Sequence, residues 1–189
     1  ESPEKLLKWL EKTVLCPGGS PDFCVAQDDS PLQLPDPGTF ADPAYIMFTS
    51  GSTGSPKGAV MTYSNLHYFV DWAVNEYKFT PEDRHTHLNP LYFDNSVFDM
   101  YSTFFSGGTL VPFTAKMLQD PVGVVERIEQ LECTVFFSVP SMLIYLQTTK
   151  AIEEGSMRSL KKIIFGGEGY PKRKLAELYG CVGGYAELI

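Results

Sequence analysis

The stretch Phe-Thr-Ser-Gly-Ser-Thr-Gly-Ser-Pro-Lys-Gly at residues 48–58 gathers hydroxyls, glycines and a lysine directly after the apolar run Ala-Tyr-Ile-Met. Its apolar content is too low for a core. Gly51, Gly54, Pro56 and Gly58 rule out a regular helix. Glycines tolerate positive φ and close approach, so their backbone N–H groups can converge on an anion. Thr49, Ser50, Ser52 and Thr53 add hydroxyl donors, and Lys57 adds a mobile cation. Together they suit a polyphosphate; the bland alternative is a solvated turn. The loop is not a Walker A sequence, which has glycine just before the lysine and Ser or Thr just after it. Pro56 and Gly58 stand in those places.

Other chemistry-bearing residues carry less. His85 and His87 form an H-x-H, but only Asp83 stands near them at ligand spacing, so no metal site is expected. Cys16, Cys24, Cys133 and Cys181 contain no C-x-x-C pair and are too few for a disulfide scaffold, so they read as reduced thiols of a cytoplasmic protein. Pro-Lys-Arg-Lys-Leu at 171–175 reads as a solvated basic helix start, with docking of an acidic partner as the sharper alternative.

These residues need elements to hold them. An amphipathic helix is expected near Ser2–Thr13, a short strand at 23–26, and a proline-rich connector through Pro43. From Ala44 strands and helices alternate. Strands are expected at 44–50, 84–89, 109–113, 133–139 and 160–165. Helices are expected from Ser64, as cap, to Tyr77, and at 95–108, 121–131, 140–149 and 171–180. The run 133–139 is apolar on both faces. That pattern predicts an α/β fold with a mostly parallel sheet covered by helices. Sites in such sheets form at the carboxyl ends of strands, where the loops at 49–58, 139–141 and 165–171 fall.

Hydrophobic residues make up 43% of the 189 and aromatics 13%, enough for a core. The net charge of −8 disfavours nucleic acid and anionic membranes, and no apolar run approaches the roughly twenty residues of a bilayer span. No secretion signal is read, and the two ends, Glu1 without a methionine and Gly-Gly-Tyr-Ala-Glu-Leu-Ile, read as cut.

The segment Tyr-Ile-Met-Phe-Thr-Ser-Gly-Ser-Thr-Gly-Ser-Pro-Lys-Gly closely resembles the phosphate-binding signature of the adenylate-forming superfamily, which holds acyl-CoA synthetases, luciferases and amino-acid adenylating domains. "TPEDRHTHLNPLYFD", "SGGTLV", "VFFSVPSM" and "IIFGGEGYP" stand in the family's order, so the resemblance covers about residues 40–180. It implies a connector over 1–43 and part of the large N-terminal AMP-binding domain over 44–189. It implies ATP as co-substrate, with Thr49, Ser50, Gly51, Ser52, Thr53, Gly54 and Lys57 on the phosphates and Thr53 and Lys57 as the catalytic members. Gly167 and Glu168 match the loop along the adenine.

"LYFDNSVFDMYSTFFSGGTL" is similar to the amino-acid activating branch, in which the aspartate of "FD", here Asp94, grips the substrate's α-ammonium group. Asp94 or Asn95 could instead cap the helix that follows. By the same resemblance Asn95, Phe98, Phe137, Ile164 and Gly166 line the side-chain pocket; core packing is the plainer role for Phe137 and Ile164. The resemblance runs strongest to D-alanine–carrier protein ligases, with peptide-synthetase adenylation domains close behind. Those ligases carry cysteine where this chain has Gly166, which leaves room for a larger side chain. The implied reaction forms aminoacyl-AMP and pyrophosphate and passes the acyl group to a carrier-protein thiol. An acyl-CoA synthetase and a non-catalytic nucleotide-binding domain are the alternatives. The family's Tyr-Gly-Pro-Thr-Glu segment, whose glutamate helps hold Mg2+, is absent from these residues, as are the ribose-binding aspartate and the C-terminal domain with its lysine. The chain by itself is therefore expected to be inactive.

Overall fold

The computed structural model describes residues 39–49 and 56–189. The expected N-terminal helix, the strand at 23–26, most of the connector and residues 50–55 lie outside the described residues.

Strand β1 (Pro43–Thr49) and strand β2 (Lys57–Thr62) pair antiparallel, with Thr49 opposite Lys57 and Ile46 opposite Val60. They form a two-stranded sheet of their own. The strand before the glycine-rich segment is thus not part of the parallel sheet, as its position in the alternation suggested. It pairs instead with β2, which follows that segment in sequence. Helix α1 (Tyr63–Tyr77) follows at once. Its cap is Thr62, not Ser64. The Thr62 hydroxyl accepts from the Asn65 backbone N–H, and the Asn65 side chain accepts from the Thr62 backbone N–H, a reciprocal box that Ser64 cannot form.

The remaining strands are β3 (Arg84–His87), β4 (Thr109–Pro112), β5 (Val135–Ser138), β6 (Lys162–Phe165) and β7 (Glu187–Leu188). They lie parallel in the order β4-β3-β5-β6-β7. Parallel neighbours need long crossovers, and helices supply them. A run in three pieces joins β3 to β4: α2 (Asn95–Val97), a π-helical turn (Phe98–Ser102) and α3 (Thr103–Ser106). It was expected as one regular helix. Gly107, at φ 82°, ends it in the left-handed conformation that glycine adopts without steric cost. Helices α4 (Pro121–Gln130), α5 (Pro140–Thr148) and α6 (Lys172–Val182) make the other crossovers. Among the described residues no helix is long and apolar enough to cross a membrane.

The pleat sorts side chains to two faces. Phe136 and Ile163 pack with Ile128, Leu143 and Leu178 beneath α4, α5 and α6. Their neighbours Val135 and Ile164 pack with Ala73, Phe79 and Phe98 beneath α1 and the π-helical turn. At the amino ends of the strands Asp83 is a tie point. Its carboxylate accepts from the Thr134 hydroxyl at 2.8 Å and the Thr80 N–H at 2.9 Å, with Lys161 at 3.6 Å. Burial pushes this carboxyl up, but those hydrogen bonds and the Lys161 charge outweigh it and hold it below the usual range.

Candidate functional site

A cavity of about 440 Å3 opens where the base of the hairpin, α1, the start of α2 and the carboxyl ends of β5 and β6 converge. Asp94, Asn95, Phe98, Phe137, Ile164 and Gly166, scattered over more than seventy positions of sequence, all line it. Each arrives for a local reason. Phe137 points from β5 to the α1 side by strand alternation, and its ring sits 4.4 Å from that of Phe98. Ile164 is buried in the same cluster, so core packing and wall are one role for it. Gly166 follows β6, and a Cβ built on it meets nothing within 4 Å. The space beside it is open.

Asp94 occupies the N-cap position of α2 but in helical conformation, φ −60° and ψ −25°, and its side chain makes no capping hydrogen bond. A cap needs extended backbone to turn its oxygen onto the first N–H groups. The capping role considered for it is therefore not the one it plays. It is exposed and looks into the cavity. Tyr45 of β1 lies within its field: burial, then the Asp94 charge, push the Tyr45 phenol up.

Among the phosphate-loop residues, Thr49 and Lys57 face each other across the hairpin, the Thr49 hydroxyl donating to the Lys57 carbonyl at 3.4 Å. Ser50, Gly51, Ser52, Thr53 and Gly54 lie outside the described residues. Gly167 and Glu168 follow β6. The Glu168 carboxylate accepts from the Ser141 N–H at 3.1 Å, at the start of α5, which ties the two strand-end loops together. Gly167 has φ +86°. Gly167→Ala is expected to lower the unfolding free energy by about 1–2 kcal/mol through this conformation alone, since the new Cβ finds ordinary contact, 3.9 Å from Val139. Thermal denaturation checks it; an unchanged melting temperature would contradict it.

Beneath the two phenylalanine walls sits a polar cluster that the sequence did not reveal. Asp99, 1% exposed, takes the Asn89 amide on Oδ2 at 2.9 Å, with His87 Nδ1 at 3.0 Å from the same oxygen. The Asn89 amide also donates to the Phe137 carbonyl at 3.2 Å. Burial pushes the Asp99 carboxyl up to about 6, against the pull of those bonds. His87 thus serves a carboxylate inside the fold, and no group of three or more potential metal ligands occurs among the described residues. Nothing there fits the Mg2+ that the resemblance implies. At the basic start of α6, Arg173 and Lys174 pair with Glu177 at 3.0 and 2.9 Å, as a solvated face does.

The walls missed in sequence are aromatic. Phe69 and Trp72, one turn apart on α1, are 36% and 50% exposed and face the cavity with Tyr77. Phe69 and Tyr77 share the 3.6-residue spacing of the helix's apolar residues and look like core in sequence. The true core stripe is Leu66, Val70 and Ala73. A second apolar stripe beside the first was the available signal.

Residues 6–189 match the signature of the AMP-binding enzymes. The chain belongs to the AMP-binding enzyme family. It is 36% identical over 137 residues to an L-proline–[L-prolyl-carrier protein] ligase of Pseudomonas fluorescens, covering 72% of this chain and 28% of that protein. It is 34% identical over 138 residues to a D-alanine–D-alanyl carrier protein ligase of Bacillus anthracis, covering 71% and 27%. The fold is similar to that of the Vibrio cholerae adenylation domain AlmE in complex with glycyl-adenosine-5'-phosphate. There the TM-score is 0.72 and the identity 27%, over 79% of this chain and 28% of that one. The chain thus spans a little over a quarter of the length of the relatives it matches. The α/β architecture expected from the alternation of elements is that of this family's adenylation domains.

Proposed function

We propose that this chain is the phosphate-loop and pocket portion of an ATP-dependent ligase that activates an amino acid. The observation that carries the reading is Asp94: a carboxylate at the rim of the cavity, in cap position yet making no capping hydrogen bond. A carboxylate held beside apolar walls favours an ammonium over a neutral acyl chain. With the ammonium on Asp94, the substrate carboxylate attacks the α-phosphorus of ATP. The new P–O bond forms as the bond to pyrophosphate breaks, leaving aminoacyl-AMP. A carrier-protein thiol then attacks the carbonyl carbon and AMP departs. The protein's work at the phosphates is positioning and charge neutralisation. Thr49, Ser50, Gly51, Ser52, Thr53, Gly54 and Lys57 do this in our reading, while Gly167 and Glu168 border the adenine. Two relatives named as carrier-protein ligases and a neighbour holding an aminoacyl adenylate support it. The cytoplasm supplies ATP, and the unpaired thiols of Cys133 and Cys181 fit a reducing compartment.

The test is product stoichiometry. The intact enzyme, given ATP, amino acids and hydroxylamine to trap the adenylate, is expected to release AMP and pyrophosphate in equal amounts and to yield an aminoacyl hydroxamate. Release of ADP and phosphate would overturn the reading. In the same assay Lys57→Ala and Thr53→Ala are each expected to cost about tenfold in kcat/KM, one charge-assisted contact apiece, with the melting temperature held. Lys57 is exposed, so no core is lost with it. A melting temperature that falls together with activity would make these residues structural.

A further inference from the structure

We infer that the amino acid carries an uncharged, apolar side chain larger than a methyl group, seated against an aromatic belt that α1 contributes. The inference rests on the amino-acid reading above. Among the described residues lining the cavity, Asp94 is the one acidic or basic side chain, and the ammonium occupies it. The rest of the described lining offers a charged side chain no counter-charge, and a charge moved there loses its water uncompensated. The belt is continuous. Phe98 lies 4.4 Å from Phe137, 5.7 Å from Tyr77 and 6.3 Å from Phe69, and Trp72 joins Tyr77 at 5.7 Å and Phe69 at 5.9 Å, centroid to centroid. Rings in these edge and tilted arrangements form a stiff apolar wall. Phe69 and Trp72 both line the cavity and are 36% and 50% exposed, apolar area for a substrate side chain to cover. Opposite, the open space at Gly166 removes the restriction a side chain there would impose.

ATP–pyrophosphate exchange by the intact enzyme, with a panel of glycine, alanine, valine, leucine, proline, phenylalanine, aspartate, glutamate, lysine and arginine, reads this directly. An apolar amino acid larger than alanine is expected to lead, with kcat/KM at least about a hundredfold above every charged one. A Cβ at Gly166 meets no atom within 4 Å, so Gly166→Val extends into open space. It is expected to lower the ratio of kcat/KM for the leading amino acid to that for alanine by about tenfold or more, a readout that partial unfolding does not move. A charged amino acid in the lead overturns the inference and leaves the amino-acid reading standing. So does glycine or alanine in the lead, or a ratio that Gly166→Val leaves alone. Exchange with simple carboxylic acids but no amino acid overturns both.

Discussion

Asp94→Ala in the intact enzyme is expected to raise KM for the amino acid about tenfold or more while KM for ATP moves less than about twofold. A hydrogen bond to a charged group contributes about 1.5–3 kcal/mol, and 1.4 kcal/mol is tenfold. The ammonium is the group left unpaired. The structure separates this from a stability effect. Asp94 makes no capping hydrogen bond, so none is lost, and its side chain is exposed, so no core opens. Loss of a real cap would cost about 1 kcal/mol and appear in the melting temperature. Titration with amino acid and with ATP, and melting in parallel, check the split. A KM that stays put while the melting temperature drops would remove Asp94 from substrate recognition.

The second large effect is concealed in the wild-type protein because two buried groups oppose each other. Burial raises the Asp99 carboxyl from 3.8 to about 6. A raised folded pKa contributes stability that is complete below the unfolded value and lost as pH rises through the folded one. Burial lowers His85, 2% exposed and T-stacked on Phe79 at 4.5 Å, from 6.5 to about 4. Its contribution is complete above the unfolded value and lost as pH falls through the folded one. Each is worth about 3 kcal/mol across its range, and between pH 4 and 6.5 they run in opposite directions. Asp99→Asn exposes the histidine, so stability gains a rise of about 3 kcal/mol from pH 4 to 7 relative to wild type. His85→Phe, which keeps the ring on Phe79 and removes the unpartnered Nε2, exposes the aspartate and gains a fall of similar size. Unfolding measured at half-unit steps of pH checks both. Curves parallel to wild type in the two variants would mean that neither group changes its protonation on unfolding.

The sheet was legible because strands alternate with helices, the run 133–139 is apolar on both faces, and the helices carry clear starts, such as Pro121 and Pro140, and stops, such as Gly107. The hairpin was not. Lys-Gly-Ala-Val-Met-Thr is mostly exposed and lacks strong alternation, and its strand exists through pairing with β1 across the glycine-rich segment. The shift of cap from Ser64 to Thr62 turned on Asn65 reciprocating, a contact two equally plausible hydroxyls hide in sequence. The π-helical turn belongs with Asp99, whose carboxyl meets His87 and Asn89 twelve and ten positions away; local propensity contains nothing of that. β7 is two residues long and owes its place to β6. The pocket residues were assigned by likeness to a family. Chemistry alone marked the glycine loop, whereas Phe98, Phe137 and Ile164 look like any core residue until the fold turns them to one cavity.

In the proposed reaction Asp94 reads the α-amine of the substrate. The most direct measurement compares ATP–pyrophosphate exchange by the intact enzyme on its best amino acid and on the des-amino acid with the same side chain and carboxylate. Without the amine, kcat/KM is expected to fall by about tenfold or more, a difference that collapses in Asp94→Ala. Equal exchange with the two acids in the wild-type enzyme would contradict it.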